Sequence, residues 1–372
     1  MRRYKCRSNS LKQFENLLFS RNSIFPGNCS FFKNGNCFYF ALSMQWLIAG
    51  ALFTAHMRFG YSLLTPIRRC SLYMSRGYEF IDCGGLERLE RFGEVIVRRS
   101  CPAASKSKNP SLLERWNLAN LRYEGSSGKV GSWSGALGNE SRWEVDFNGS
   151  GVLLQLTPSP QGQIGVFPEQ QSNWEWIRNT LQSHHRALNS KEKEERIIRV
   201  LNGFAYTGGS SLAALNAADN ILVTHLDASK ASNQWAARNI EAAVPLRGKN
   251  VRCITEDCLT YINREIRRNS RYDMLIFDPP AFGRSGSKIW KLETDLEVLV
   301  SLLPSLLSDQ PCGILLSCHD INWSHERLAL LLRSHMDGFR VKGVVSSGNL
   351  VLRSEDKKCS LAMGCYARWV PS

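Results

Sequence analysis

The chain has 372 residues, of which 43% are hydrophobic, 22% charged and 10% aromatic, a composition that excludes a disordered tail protein and a disulfide-stapled miniprotein. One large domain with a smaller appendage is the expected arrangement, since single cores rarely grow past about 250–300 residues. Lysine and arginine outnumber acids 47 to 33, for a net +14. Eleven of those cations, against the single acid Glu15, lie in residues 1–77, so only +4 remains for 78–372. A nucleic-acid argument built on the whole-chain charge would be overdrawn.

Residues 1–77 are rich in Arg, Ser, Asn and Phe and almost free of acid, which predicts an organellar transit peptide, chloroplast or mitochondrial, kept cationic and unfolded for import. The alternative is a membrane anchor: Cys37 to Ala55 carries no charge and matches the roughly 20 residues of a bilayer-crossing helix, with cations on both sides leaving its topology open. A start at Met57, followed by a short Arg/Ser-rich presequence, is a third reading, and a cytoplasmic protein is the alternative destination. The twelve cysteines include no Cys-x-x-Cys pair and complete no zinc site, so reduced, mostly buried thiols are expected.

From Tyr78 the texture changes to mixed charge and alternating apolar residues, as in Glu94–Arg98. Residues 78–186 read as a small β-rich substrate-side domain with a connecting helix over Trp174–Ala187, and Gly125–Gly138 as a candidate disordered tip. Trp143–Phe147 and Val152–Leu156 alternate like hairpin partners about an Asn148-Gly149 turn. Ser190–Arg196 is a charged connector that reads as a solvated helix start.

Residues 187–372 alternate two periods. Strand-length apolar runs fall at Ile197–Phe204, Ile221–Leu226, Val251–Ile254, Met274–Phe277, Gly313–Leu316 and Val341–Val345. Helix-length segments separate them at Ser211–Ala217, Ser229–Ala243, Leu259–Arg268, Leu292–Leu307 and Ser324–His335. Strand and helix in turn predict βαβ units, a buried parallel sheet and an α/β, Rossmann-like catalytic domain.

Ligands of such sheets bind beyond the carboxyl ends of the strands, at the switch point, and four loops there are informative. The first, Asn202–Ser210, is glycine-rich, which suits either close backbone approach to a ligand or a plain βα turn. The second strand ends in Asp227, nineteen residues past Gly208, where a carboxylate can accept both hydroxyls of an adenosine ribose. Neither Gly-x-Gly-x-x-Gly nor Gly-x-x-x-x-Gly-Lys-Ser/Thr occurs in this segment, so the expected cofactor contains adenosine but no polyphosphate. In the third, Asp257 can accept from an adenine amino group, cap the following helix, or both. The fourth, Asp278-Pro279-Pro280, fixes φ at two consecutive residues and is expected to leave carbonyls free as a rigid acceptor lip.

These loops, in this order, resemble the class I S-adenosylmethionine-dependent methyltransferases. Over residues 78–320 the chain is similar to the family that contains the bacterial 23S ribosomal RNA cytosine-5 methyltransferases. The segments that carry the resemblance are YEFIDCGGLERLERFGEVIVRR, GQIGVFPEQQSNWEWI, RVLNGFAYTGGSSLAA, VTHLDASKASNQWAARN and YDMLIFDPPAFGRSGSKIWKLETDL. The resemblance implies a seven-stranded methyltransferase sheet and S-adenosyl-L-methionine as cofactor. It implies that Phe204, Tyr206, Thr207 and Gly208 line the methionine part, that Asp227 holds the ribose and Asp257 the adenine, and that Gln170 is a further contact. Ser229 and Lys230 would stand behind these, and Asp278 with Pro279 and Pro280 would frame the transfer.

Two mechanisms stay open. Methylation at cytosine C5 needs a thiolate to add to the ring first, and Cys318, past the fifth strand beside His319 and Asp320, is the candidate nucleophile. A nitrogen acceptor already carries its lone pair and needs only orientation. RNA, ribosomal RNA in particular, is the substrate the resemblance implies. Arg284, Lys288, Lys291 and the helix cations Arg264, Arg267 and Arg268 are candidate contacts. A noncatalytic RNA-binding protein that keeps the fold, and a methyltransferase for a protein or small molecule, are the alternatives.

Overall fold

The computed structural model describes residues 77–126, 129–147, 152–243 and 250–372, which fall in one compact unit beginning at residue 73. The leader with its apolar stretch 37–55 and Met57, and the Asn148-Gly149 turn, lie outside the described residues. Among the described residues no helix is long and apolar enough to cross a membrane, and no cluster of three metal-ligating side chains occurs.

The described chain opens with β1 (Tyr78–Gly84), β2 (Glu87–Phe92) and β3 (Val95–Ser100), continues through the short helix α1 (Leu113–Asn117), and adds β4 (Leu121–Glu124) and β5 (Ser132–Ser134). These five strands form one sheet in chain order. A two-residue turn joins β1 to β2, with Gly85 and Leu86 both left-handed at φ +61° and +62°, the geometry that matches the twist of a tight hairpin. β5 and its pairing with β4 occupy part of the segment expected as a disordered tip.

β6 (Trp143–Phe147) and β7 (Val152–Leu156) pair as an antiparallel ribbon with Phe147 opposite Val152. Val152, Leu154 and Leu156 are buried along one face. A 3-10 turn at Pro168–Gln170 leads into α2 (Gln171–Ala187), followed by α3 (Ser190–Glu195).

The remaining elements are β8 (Ile198–Gly203), α4 (Gly209–Leu215), β9 (Ile221–Asp227), α5 (Lys230–Ala243), β10 (Val251–Thr255), α6 (Cys258–Arg267), β11 (Met274–Phe277), the ribbon β12 (Phe282–Ser285) and β13 (Lys288–Lys291), α7 (Leu292–Leu302), β14 (Gly313–Cys318), α8 (His325–Met336), β15 (Gly343–Arg353) and β16 (Ser360–Pro371). Seven of the strands form a sheet ordered β10-β9-β8-β11-β14-β16-β15. β16 alone in this sheet runs against the direction of the other six strands. The chain builds outward from β8 to β10 and then returns to the other side of β8 at β11, so the switch point lies between the carboxyl ends of β8 and β11.

Alternation distributes the strand residues between two apolar clusters, one on each face. Met274 and Ile276 belong to one and Leu275 and Phe277 to the other, which is why the strand reads as a continuous apolar run. The first cluster extends from Phe92, Val97 and Leu121 of the N-terminal sheet through Val145, Phe147 and Trp174 to Val200 and Ile276.

Two sequence expectations are corrected here. The helix expected over Leu292–Leu307 ends at Leu302 and tightens to a 3-10 turn over Leu303–Ser305, because Pro304 has no N–H to continue the ladder. The last strand, β16, was not anticipated, because Gly364, Arg368 and Pro371 break the apolar pattern of the segment.

Candidate active site

The loop after β8 is built from left-handed residues at alternate positions: Phe204 at φ +56°, Tyr206 at +50° and Gly208 at +99°. Side chains at φ > 0 are costly and persist only where the surroundings fix them. Here Ala205 N–H donates to the Leu226 carbonyl at 3.1 Å, Tyr206 N–H to Asp227 Oδ2 at 2.8 Å, and the Thr207 hydroxyl to the Gly165 carbonyl at 2.7 Å. Gly208 has a further reason to lack a side chain, since a Cβ there would lie 3.3 Å from that of Ala236. Below the loop, Asn202 Nδ2 donates to Ser211 Oγ at 2.9 Å, and Ser211 Oγ lies 2.9 Å from His225 Nδ1. Burial pushes His225 down to about 4, so this rivet between β8, α4 and β9 is neutral.

Asp227 closes β9 and accepts Ser229 N–H at 2.8 Å on the oxygen that Tyr206 does not use. Burial raises its carboxyl above the usual range, against those two hydrogen bonds. Asn233 Nδ2 holds the strand end by donating to the Asp227 carbonyl and to Thr255 Oγ1, each at 2.9 Å. One strand over, Asp257 caps α6 by accepting Thr260 N–H at 3.0 Å, with Lys288 Nζ at 3.5 Å. The ring of Phe204 packs at 4.7 Å on that of Trp290 in β13.

Asp278 is the hub. Its Oδ2 accepts from Gln170 Nε2 at 2.8 Å and its Oδ1 from the Ser317 hydroxyl at 2.6 Å, with His319 Nε2 3.3 Å from Oδ1. Gln170 is oriented in turn by Asn173, which donates to its Oε1 at 2.6 Å, and Asn173 by Arg368. Burial would discharge His319, but the Asp278 carboxylate, their hydrogen bond and Glu169 outweigh it and hold the imidazole up to about 10. Burial would likewise raise Asp278, yet His319, Ser317 and Gln170 keep it below the usual carboxylate range. The pair is therefore ionised at neutral pH.

Two cavities meet here. A narrow cleft of about 40 Å³ is lined by Gln170, Phe204, Tyr206, Thr207 and Asp278. A larger one of about 690 Å³ is lined by His319, Glu169, Arg88 and Arg99. Phe167 forms part of both walls.

No family model matches the chain. A crystal structure of the SAM-dependent methyltransferase from Agrobacterium tumefaciens superimposes with a TM-score of 0.70 at 31% identity, covering 80% of this chain and 91% of that one. The chain belongs to the S-adenosylmethionine-dependent methyltransferases. SMU.776, solved as a complex with SAH, shares the fold at a TM-score of 0.57 and 18% identity, covering 91% of this chain and 82% of that one. Among curated proteins, the ribosomal RNA large subunit methyltransferase K/L of Shewanella sp. (strain MR-4) is 36% identical over 114 residues, which are 30% of this chain and 16% of that protein. The Shewanella baltica (strain OS195) protein of the same name is 40% identical over 113 residues, 29% of this chain and 14% of the relative. The match thus spans about one-sixth of these relatives' length.

Within this methyltransferase fold, Gln170, Phe204, Tyr206, Thr207 and Asp278 share one cleft, and Asp227 joins them through Tyr206 and Ser229. Cys318 does not. It ends β14 with its thiol in the apolar cluster of the opposite face, fully buried beside Cys365, and that thiol neighbour and burial raise its pKa far above the usual thiol range. The Pro280 carbonyl is not free either, because it accepts from Trp290 Nε1 at 2.8 Å. Arg264 and Arg268 are engaged by Glu256 and Glu265, and Lys288 by Asp257, so these cations are less available to a polyanion than the sequence suggests. Sequence reasoning missed Ser317, Glu169 and Arg99, and noted His319 only beside Cys318, whereas it pairs with Asp278. One of these had a signal: Glu169 precedes Gln170 in the FPEQ segment.

Proposed function

We propose that the protein transfers a methyl group from S-adenosylmethionine to a base nitrogen of RNA, with ribosomal RNA the favoured source. The chemistry of the residues at the strand ends suits this cofactor: Asp227, behind Tyr206, has two acceptor oxygens fixed by backbone N–H groups, and the loop Phe204–Thr207 walls the narrow cleft beside Asp278. In this reading Asp227 takes the ribose hydroxyls, Asp257 the adenine amino group, and Phe204, Tyr206, Thr207, Gly208 and Gln170 shape the methionine end. Ser229 fixes Asp227.

The observation that carries the reading is the position of Asp278 at the junction of two cavities, held by Gln170, Ser317 and His319. When bound, the cofactor supplies a methyl on a sulfonium, whose C–S bond breaks with its electron pair left on sulfur as the acceptor lone pair forms the new bond. A carboxylate offers about four lone-pair positions. Three are directed at Gln170, Ser317 and His319, leaving one for the acceptor's N–H. With its pKa depressed, Asp278 orients that N–H rather than abstracting the proton, which the methylated nitrogen sheds to water in the open cavity. Alignment then supplies much of the rate.

A nitrogen acceptor is favoured over cytosine C5 because the thiol of Cys318 faces the opposite core. Cys101 lines the larger cavity, but burial raises its thiol pKa and disfavours the thiolate. RNA is supported by the names of the matched relatives and by the β12–β13 ribbon at the rim, which carries exposed Phe282 with Arg284 and Lys291.

Incubation with tritium-labelled S-adenosylmethionine and unmodified RNA, followed by nucleoside mass spectrometry, tests the reading. The wild type labels RNA, and Asp278→Ala loses transfer by about a hundredfold or more while still binding SAH. Label in protein or small molecules instead of RNA contradicts the substrate, and cofactor binding without any transfer favours a noncatalytic RNA-binding protein. Normal turnover by Asp278→Ala removes the site.

A further inference from the structure

The larger cavity contains polar atoms that the fold leaves unsatisfied. Arg99 of β3 is 1% exposed and donates through Nε to Glu90 Oε2 at 2.7 Å. Its two terminal amino groups, buried in the cavity wall, have no hydrogen-bond partner among the described residues. Glu169 is 4% exposed, and neither of its oxygens accepts a hydrogen bond. Its neighbouring cations, Arg88 NH1 at 3.9 Å and His319 Nδ1 at 3.7 Å, balance its charge without bonding it. Buried polar atoms left without hydrogen bonds are costly even where their charge is balanced, and four such atoms, on two residues that line one cavity next to Asp278, indicate a ligand that completes them.

We propose that Arg99 and Glu169 form the subsite that reads the acceptor base, Arg99 donating through both terminal amino groups to two adjacent acceptors on the base edge and Glu169 accepting from its N–H groups. This rests on the RNA reading above. The guanidinium fork matches guanine O6/N7 or cytosine O2/N3. Adenine and uracil alternate donors with acceptors along their edges and cannot satisfy it. A phosphate also offers adjacent oxygens to arginine, but the Glu169 carboxylate on the same wall repels an anion, so a neutral base is the better complement. Guanine N1–H and N2–H or cytosine N4–H then supply the donors that Glu169 lacks.

The test compares wild type, Arg99→Lys and Glu169→Gln in labelled transfer to RNA, with SAH affinity and melting temperature measured alongside. Arg99→Lys keeps the charge facing Glu90 but cannot fork, and Glu169→Gln keeps the shape but turns one acceptor into a donor. Both are expected to bind SAH within about twofold of wild type and to lose about tenfold or more in kcat/KM for RNA, with wild-type label confined to guanosine or cytidine. Label in adenosine or uridine overturns the proposal, as does unchanged kcat/KM in a folded Arg99→Lys or Glu169→Gln protein. Wild-type protein that labels no RNA overturns both this and the RNA reading, whereas labelled RNA with indifferent variants removes the subsite alone.

Discussion

Asp278 and His319 hold opposite charges 3.3 Å apart at the junction of the two cavities, and their pairing makes stability depend on pH. His319 stands at about 10 in the fold against an ordinary 6.5, so its contribution is complete below about pH 6.5 and is lost as pH rises toward 10. Asp278 is depressed below its ordinary 3.8, so its contribution is present above that value and is lost as pH falls through the folded one. A melting series from about pH 5 to about pH 10 is expected to show a descending alkaline limb that His319→Gln flattens. Equal limbs in both proteins would contradict the pairing. Asp227, Asp257 and Asp278 could be picked out from the sequence because each follows a strand, and Gln170 only through the resemblance of its FPEQ segment. Arg99 could not, since its place at the cavity depends on how the N-terminal sheet packs, which no local pattern encodes.

β14 shows how one strand divides its chemistry between two faces. Leu315 belongs to the cluster on one side and Ile314, Leu316 and Cys318 to that on the other. Ser317 therefore points toward Gln170 and Asp278, and its neighbour Cys318 points away. Cys318→Ala is expected to retain full transfer activity while losing about 1 kcal/mol of stability from the packed cluster. Loss of activity in a folded Cys318→Ala protein would restore the covalent mechanism. The sequence placed both residues at a strand end but could not say which faced the site, because a run buried on both sides has no polar face to mark it. For the same reason β8, β9, β11 and β14 were legible as apolar runs, whereas β16, interrupted by Gly364 and Arg368, was not.

At the scale of the molecule, two sheets contribute to the walls of the candidate site. The seven-stranded sheet supplies Asp227, Asp278 and Ser317 at its carboxyl edge, and the five-stranded sheet supplies Arg88 and Arg99 to the wall of the larger cavity. The paired charges Glu90, Arg88, Arg99, Glu169, His319 and Asp278 link the two. Alternating elements made the larger sheet predictable, but the apolar cluster that joins it to the N-terminal strands arises from contacts distant in sequence, which periodicity does not report. The account depends on Asp227, bonded to Tyr206 at the smaller cleft, binding the cofactor's nucleoside. Isothermal titration of the full chain with SAH tests this most directly. It predicts a single site whose affinity falls about tenfold or more in Asp227→Ala; no heat from folded wild-type protein, or equal affinity in the variant, would contradict it.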